Sequence, residues 1–234
     1  VTLAVAYNTK SVIGTCKYIS EVRLKPKWSG KKWVVFGDSL TEANFRTTKH
    51  YFDYVSEKTG IDIVNMGDSG SGYAKEREGG TAFFQRIGNV PTDADVITIF
   101  GSFNDRTANL EIGNVTDTGT ETIAGCMNTT ISNLFTVYPL AIVGVVTPTP
   151  WTGINPYNGI EWGNQYVDML LSIAKRWGIP VLDLYHNSLL RPWDVTYRAL
   201  CYSKDNGDGT HPDETGHKII APRFEEFLNS LLLA

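Results

Sequence analysis

The chain has 234 residues, of which 42% are hydrophobic and 20% are charged, and its formal net charge is -4 at pH 7. This length suits one sizeable α/β domain with a real core and is too short for two domains and a linker. The negative charge and the lack of a Lys/Arg cluster exclude a basic surface for nucleic acid. The longest apolar run, residues 140–146, is far shorter than a bilayer requires, so we expect no membrane span.

The first 30 residues differ in pattern from the rest of the chain. They alternate weakly between apolar and polar positions and end in the segment Lys-Pro-Lys-Trp-Ser-Gly. This pattern predicts short β-strands followed by a polar linker. We therefore expect residues 1–30 to be an N-terminal β segment and linker, the tail of an upstream β domain, and residues 31–234 to be the main domain.

From residue 31 onwards, patterns typical of strands and helices alternate. Predicted strands cover residues 33–36, 61–66, 95–100, 140–146 and 180–184. Predicted helices cover residues 45–58, 76–87, 122–138, 166–177 and a C-terminal stretch that Pro222 should kink or divide. Because parallel strands need right-handed crossovers, this alternation predicts an α/β fold with helices on both faces of a parallel sheet. We expect five strands in the flavodoxin-like order 2-1-3-4-5.

Reactive side chains follow the carboxyl ends of the first three predicted strands. Ser39 follows the first strand in a Gly-Asp-Ser turn, a glycine-rich loop containing Gly70 follows the second, and Asn104 follows the third. His211, with Asp208 three residues before it, stands just ahead of the last helix. Ligands of open α/β sheets bind at this edge, where the strand order reverses. The sequence therefore predicts that these groups share one site.

These groups match the requirements of acyl transfer. A serine hydroxyl becomes a good nucleophile when a base takes its proton, and histidine is suited to do so near neutral pH. The backbone N–H groups of Ser39 and Gly70 and the Asn104 amide are candidate donors to the oxyanion that forms on attack. Asp208 would fix the tautomer of His211 and stabilise its imidazolium form.

The four blocks, in this order, resemble the SGNH (GDSL-type) hydrolase superfamily. Its pattern is a Gly-Asp-Ser block, an N-x-x-x-S-G block, a G-x-N-D-like block and a D-x-x-H block, and the resemblance covers about residues 31–234. It implies a flavodoxin-like three-layer α/β/α sandwich, ester hydrolysis, and no metal or organic cofactor. The residue roles that it implies are Ser39 as nucleophile, His211 as general base, Asp208 as orienting acid, and Ser39, Gly70 and Asn104 as oxyanion donors.

Each block alone also has an ordinary structural explanation. The Gly-Asp-Ser turn can cap the following helix, the Asn-Asp pair can form a turn, and His211-Pro212 can open the last helix. The chain also carries Ser102 where the family commonly has glycine, two residues before Asn104. No G-x-S-x-G elbow is present, which argues against an ordinary α/β-hydrolase. The coincidence of all four blocks at one sheet edge favours the catalytic interpretation.

Long loops rich in aromatic residues follow the fourth and fifth predicted strands, and their composition indicates a class of substrate. Trp151, Tyr157 and Trp162 are candidate substrate-binding residues, because flat aromatic faces beside Asn and Asp suit sugar rings. Packing within the loops is the alternative explanation. We expect a small-molecule or glycan ester, such as an O-acetylated carbohydrate. A lipid acyl-hydrolase or lysophospholipase, and a non-catalytic glycan-binding module of a larger assembly, stay open as alternatives.

Three scattered cysteines, Cys16, Cys126 and Cys201, lack the spacing of a zinc site. Since they allow at most one disulfide, they leave the cellular compartment open. An upstream β domain would fit a modular enzyme that is secreted or virion-associated.

Overall fold

The computed structural model describes residues 27–76, 80–156, 160–203 and 209–231. Most of the predicted N-terminal β segment, residues 1–26, lies outside these ranges. The strands within them are β1 (Lys32–Gly37), β2 (Asp62–Gly67), β3 (Val96–Phe100), β4 (Ile142–Val146) and β5 (Val181–Leu182). They form a sheet in the order β2-β1-β3-β4-β5, and every neighbouring pair is parallel. The predicted five-stranded, flavodoxin-like sheet is confirmed.

Helices of the described ranges connect the strands and close the chain. They are α1 (Tyr51–Thr59), α2 (Phe83–Arg86), α3 (Ile123–Val137), α4 (Glu161–Trp177), α5 (Leu184–Asn187), α6 (Val195–Cys201) and α7 (Glu214–Leu231). Short 3-10 helices cover Ile87–Asn89 and Asn104–Thr107.

Alternate residues of β1 belong to the two cores on opposite faces of the sheet. Val34 and Phe36 pack with side chains of α2, α3 and α4, whereas Trp33 and Val35 pack with side chains of α1 and α7. Successive side chains of a strand point to opposite faces of the sheet. A strand that is buried on both faces therefore needs apolar residues at its odd and its even positions. Each large side chain buried in this way stabilises the fold by roughly 1.5–3 kcal/mol. The three-layer α/β/α sandwich is thereby confirmed.

Several predicted boundaries are wrong, most clearly for the first helix. The helix predicted over residues 45–58 begins only at Tyr51. His50 is its N-cap, and the Asp53 carboxylate accepts the His50 N–H at 2.8 Å. Phe45, which was expected inside the helix, is exposed. The segment after β1 is instead a run of turns that leads away from the sheet edge.

The helix predicted over residues 76–87 is also wrong in extent, because among its described residues the α-helix covers Phe83–Arg86 alone. The fourth strand begins at Ile142, and Leu140 is exposed. The fifth strand stops at Leu182 because Asp183 caps α5 by accepting the His186 N–H at 3.2 Å.

The last helix was expected to be kinked or divided at Pro222, and it is not divided, since α7 runs through that residue. Its apolar face, which includes Phe224 and Leu228, packs onto the sheet on both sides of the proline. Tyr51 of α1 stacks on Phe224 with ring centroids 3.9 Å apart. This packing keeps the helix in one piece although Pro222 cannot donate a backbone hydrogen bond.

The described chain already contacts the core before β1. Trp28, which the sequence placed in a linker, is buried, and its indole N–H donates to Asn229 Oδ1 of α7 at 3.2 Å. Cys126 and Cys201 are buried free thiols, while Cys16 lies outside the described ranges. Of the helices that the structure describes, none combines the length and apolar character needed to cross a bilayer.

Candidate active site

Ser39 lies in a tight turn directly after β1, at the carboxyl edge of the sheet. The carbonyl of Asp38 accepts the N–H groups of Thr41 at 3.0 Å and Glu42 at 2.8 Å, which closes the turn. The Asn44 amide donates to the Ser39 carbonyl at 3.1 Å. Ser39 is half-buried, so the turn leaves this residue partly accessible to solvent.

His211 is the side chain that meets this hydroxyl. Ser39 Oγ and His211 Nε2 are 2.9 Å apart although the residues are 172 positions apart in sequence. The segment before α7 is fixed by a bridge between Tyr202 and Pro212 and by the Ser203 N–H, which donates to the His211 carbonyl at 2.9 Å. The structure thus brings together the predicted nucleophile and base, at hydrogen-bonding distance.

Asp208 and Tyr157, both predicted as site residues, lie outside the described ranges. The role of Asp208 beside His211 therefore remains a prediction, as does that of Tyr157 in substrate binding.

Gly70 and Asn104 lie on the two loops next to the β1 turn. Gly70 is exposed and has φ +83°, the left-handed conformation that glycine adopts at little cost. Among the described residues, neither the Ser39 N–H nor the Gly70 N–H has a hydrogen-bond acceptor. Two adjacent loops therefore offer unused backbone donors at the sheet edge where the hydroxyl lies.

The Asn104 amide, by contrast, is already engaged. Its Nδ2 donates to the carbonyl of Ser71 at 2.9 Å and to Asp38 Oδ2 at 3.1 Å. The amide therefore links all three loops after β1, β2 and β3. To donate to a substrate oxygen, it must exchange one of these two bonds.

Asp38 is a fully buried carboxylate immediately before Ser39. It accepts hydrogen bonds from the Leu40 N–H at 3.0 Å and from the Ser102 N–H at 2.6 Å, besides the Asn104 amide. Burial raises the pKa of the Asp38 carboxyl, and the Leu40 and Ser102 hydrogen bonds oppose that shift. Ser102, the departure from the family pattern, therefore contributes a backbone donor that holds the nucleophile turn.

A second buried carboxylate, Asp105, explains why the chain after Gly70 is not helical. Asp105 accepts the N–H groups of Tyr73, Ala74 and Lys75 at 2.7–3.1 Å and the hydroxyl of Tyr166 at 2.8 Å. Burial raises its pKa despite these donors. Since those N–H groups are used by a side chain, they are not available to a helical ladder.

The two described aromatic candidates surround Phe103, next to Asn104. Trp151 and Trp162 are half-buried, with ring centroids 5.6 Å and 6.4 Å from that of Phe103. Trp162 also stacks on Tyr166 at 5.2 Å, so much of its face is used in packing. The indole N–H of Trp151 is buried and has no partner among the described residues. Trp151 is therefore the better placed of the two to contact a ligand.

Arg86 is a residue near the site that the sequence analysis missed. It is buried at the end of α2, and its guanidinium donates to the carbonyl of Gly37, two residues before Ser39, at 2.8 Å. An arginine close to the apolar residues Phe83, Phe84 and Ile87 was the signal for such a role. Within the described ranges, no group of three or more His, Cys, Asp or Glu side chains is arranged to hold a metal ion.

Comparisons with known proteins agree with this geometry. Residues 35–219 match the model of the GDSL-like Lipase/Acylhydrolase family. Among curated proteins, none matches the sequence significantly.

Several solved structures share the fold. A protein from Lactobacillus plantarum is 26% identical, with a TM-score of 0.73 over 86% of this chain and 98% of the other. An aryl esterase from M. smegmatis is 18% identical, with a TM-score of 0.61 over 86% and 99%. A carbohydrate acetylesterase from Sinorhizobium meliloti is 16% identical, with a TM-score of 0.57 over 87% and 100%. At such low identities, the likeness to the two esterases concerns the fold alone.

Proposed function

Because the chain belongs to the GDSL-like lipase/acylhydrolase family and is an ester hydrolase, we propose that Ser39 is its nucleophile, His211 its general base and Asp208 the acid that orients His211. The observation that carries this proposal is the 2.9 Å contact between Ser39 Oγ and His211 Nε2. A nucleophile within hydrogen-bonding reach of its base is the geometry that acyl transfer through a serine needs.

In the proposed reaction, Ser39 Oγ attacks the ester carbonyl carbon while His211 Nε2 takes the hydroxyl proton. The tetrahedral intermediate collapses, and the imidazolium returns the proton to the departing alcohol, which leaves an acyl-serine. A water molecule then attacks the acyl carbon, again losing its proton to His211. Breakdown of the second intermediate releases the carboxylic acid and restores the Ser39 hydroxyl.

Negative charge develops on the carbonyl oxygen in both tetrahedral intermediates. The unused N–H groups of Ser39 and Gly70 support their assignment as oxyanion donors. Asn104 becomes the third donor by exchanging its longer bond, to Asp38, for the substrate oxygen. Asp38 keeps its bonds from the Leu40 and Ser102 N–H groups in that exchange.

We further propose that the substrate is a carbohydrate ester with a short acyl group such as acetyl. Trp151 presents a half-buried ring beside Phe103, and an aromatic face of this kind suits the face of a sugar. The fold is shared with a carbohydrate acetylesterase, which is consistent with this substrate class. A panel of acetylated sugars, longer-chain p-nitrophenyl esters and lysophospholipids separates this proposal from a lipid acyl-hydrolase.

The test of the proposed nucleophile is Ser39→Ala. We expect the variant to fold with an unchanged melting temperature, to lose p-nitrophenyl acetate hydrolysis, and to lose labelling by a fluorophosphonate probe. Ser69→Ala, which alters a serine on the neighbouring loop, serves as the control and should still be labelled. Retained turnover in Ser39→Ala would show that another residue is the nucleophile. A native chain that takes no label would favour a glycan-binding module.

A further inference from the structure

Arg86 is a cation buried directly behind the candidate active site. Only 8% of the residue is exposed, and its guanidinium carbon lies 4.4 Å from the ring centroid of Phe36 and 5.3 Å from that of Phe83. In the described part of the chain, no carboxylate forms an ion pair with it. A buried cation without a paired anion is costly, so a specific set of acceptors must hold it.

Those acceptors lie at the ends of β1 and β2 and on the loop after β2, in the segments that lead to the proposed oxyanion donors. Nη2 donates to the Gly37 carbonyl at 2.8 Å and to Ser71 Oγ at 3.2 Å, and Nη1 donates to the Met66 carbonyl at 2.9 Å. Gly37 ends β1 just before Asp38 and Ser39. Met66 and Ser71 lie on either side of Gly70, at the end of β2 and just after the glycine. One planar group therefore spans both chain segments.

The Gly37 carbonyl is the point at which these segments meet. It accepts the N–H of Asp68 at 3.0 Å as well as the guanidinium. A guanidinium has several donors in a fixed plane, so it can hold three acceptors at fixed separations, whereas a lysine ammonium acts as a mobile point charge. The pKa of Arg86 is lowered by burial, and attraction to Asp68 and Asp38 opposes that shift.

We propose that Arg86 is a positioning residue that sets the separation between the Ser39 and Gly70 N–H groups, and so determines how strongly the site stabilises an oxyanion. This inference rests on the proposed function. Arg86 acts through the backbone of the two loops and does not itself touch substrate. Its removal should weaken binding of a tetrahedral species and leave binding of the ground-state ester nearly unchanged.

The test compares Arg86→Met and Arg86→Lys in the full chain. For Arg86→Met we expect kcat on p-nitrophenyl acetate to fall about 10- to 100-fold with KM within about threefold. Inhibition by an alkylboronic acid, which forms a tetrahedral adduct with a serine hydroxyl, should weaken by a similar factor. Arg86→Lys keeps the positive charge but lacks the planar guanidinium. Its kcat and its boronate affinity should lie between those of Arg86→Met and the native chain.

A control variant separates positioning from general loss of stability. Leu228 is buried in α7, 14 residues beyond Glu214 and therefore about 21 Å along the helix from its start. Leu228→Ala should lower the melting temperature without changing boronate affinity. Equal boronate weakening in Leu228→Ala, or native boronate affinity in Arg86→Met, would overturn the proposal.

If neither Arg86 variant folds, Ser71→Ala tests the same contact, because it removes the Oγ that accepts from Nη2. We expect kcat and boronate affinity to fall together, by about threefold, and native boronate affinity would overturn the proposal. Failure of the proposed function is distinguishable. In that case, Ser39→Ala would still cleave ester and respond to boronate, whatever the Arg86 variants do.

Discussion

The carboxylate of Asp38 accepts the side-chain amide of Asn104 at 3.1 Å, so the residue before the proposed nucleophile holds one of its proposed oxyanion donors. The same carboxylate oxygen accepts the Ser102 N–H at 2.6 Å. Asp38 therefore joins the loop after β1 to the loop after β3, as Arg86 joins the loops after β1 and β2. Two buried charged groups of opposite sign thus fix three loops around Ser39.

Asn104→Ala tests whether the amide stabilises the oxyanion. Removing one such donor should lower kcat by about 10²- to 10³-fold, because the lost interaction is stronger in the transition state than in the ground state. KM for p-nitrophenyl acetate should change little. Asn133→Ala on α3, which removes a half-buried amide that donates to the Phe84 carbonyl, is the matched control and should keep native kcat. A loss below about fivefold in Asn104→Ala would limit the residue to holding Asp38 and Ser71.

Gly70→Ala tests the backbone donor of the second loop. Its φ of +83° is unfavourable for alanine, so we expect the free energy of unfolding to fall by about 1–2 kcal/mol. A Cβ atom added at this position has no neighbouring heavy atom of the described residues within 4 Å in the free protein. It would stand beside the N–H that a substrate oxygen approaches, and kcat should therefore fall at least about tenfold.

Gly30→Ala is the control for Gly70→Ala, since Gly30 has φ +80°, open space around its Cβ position, and a place before the start of β1. Both variants should lose similar stability in chemical denaturation, but only Gly70→Ala should lose activity. Parallel losses of activity in the two variants would contradict a role for the Gly70 N–H.

The features that the sequence predicted are those set by local pattern. Buried strands such as β1 and β3 are apolar runs, and their regular alternation with helices predicts a parallel sheet. The contact between Ser39 and His211 was anticipated because both residues were expected at one sheet edge.

The features that the sequence did not predict depend on contacts between distant residues. Asp105 binds the backbone N–H groups of the three residues just before the helix predicted over residues 76–87, and a contact across 30 positions leaves no periodic signal in the sequence. Arg86 was included in a predicted helix, and only the tertiary structure shows which carbonyls surround it. Pro222 was expected to interrupt α7, but packing of that helix overrides the local preference.

Trp151→Ala tests the proposed carbohydrate specificity. Because the ring would contact the sugar and not the acyl group, KM for an acetylated disaccharide should rise about 3- to 10-fold, which corresponds to the loss of one aromatic contact. Turnover of p-nitrophenyl acetate should stay within about twofold. Trp177→Ala, which removes a half-buried indole at the end of α4, is the control and should affect neither KM. Equal losses on both esters in Trp151→Ala would mean that this ring only packs the loop.

The stability of the domain should fall in mild acid because of a buried histidine pair. His217 is buried in α7, its Nδ1 accepts the Tyr51 N–H at 3.3 Å, and its ring centroid lies 5.0 Å from that of His50. Burial, together with the neighbouring His50 and His211, lowers the pKa of His217 to about 3. Burial also lowers the pKa of His50, against the attraction of Asp53.

The sign of the effect follows from proton binding. Between the ordinary histidine pKa near ~6.5 and the lowered value, the unfolded chain binds a proton at residue 217 that the folded chain does not, so stability rises with pH across this window. The contribution is complete above about pH 6.5 and is lost as the pH falls toward 3, by about 2 kcal/mol at about pH 5. His217→Gln keeps an acceptor for the Tyr51 N–H but cannot titrate. In urea denaturation, its stability should therefore fall less steeply from about pH 7 to about pH 5 than that of the native chain, whereas His186→Gln at the exposed pair with Asp183 should keep the native slope. An unchanged slope in His217→Gln would show that other groups cause the acid sensitivity.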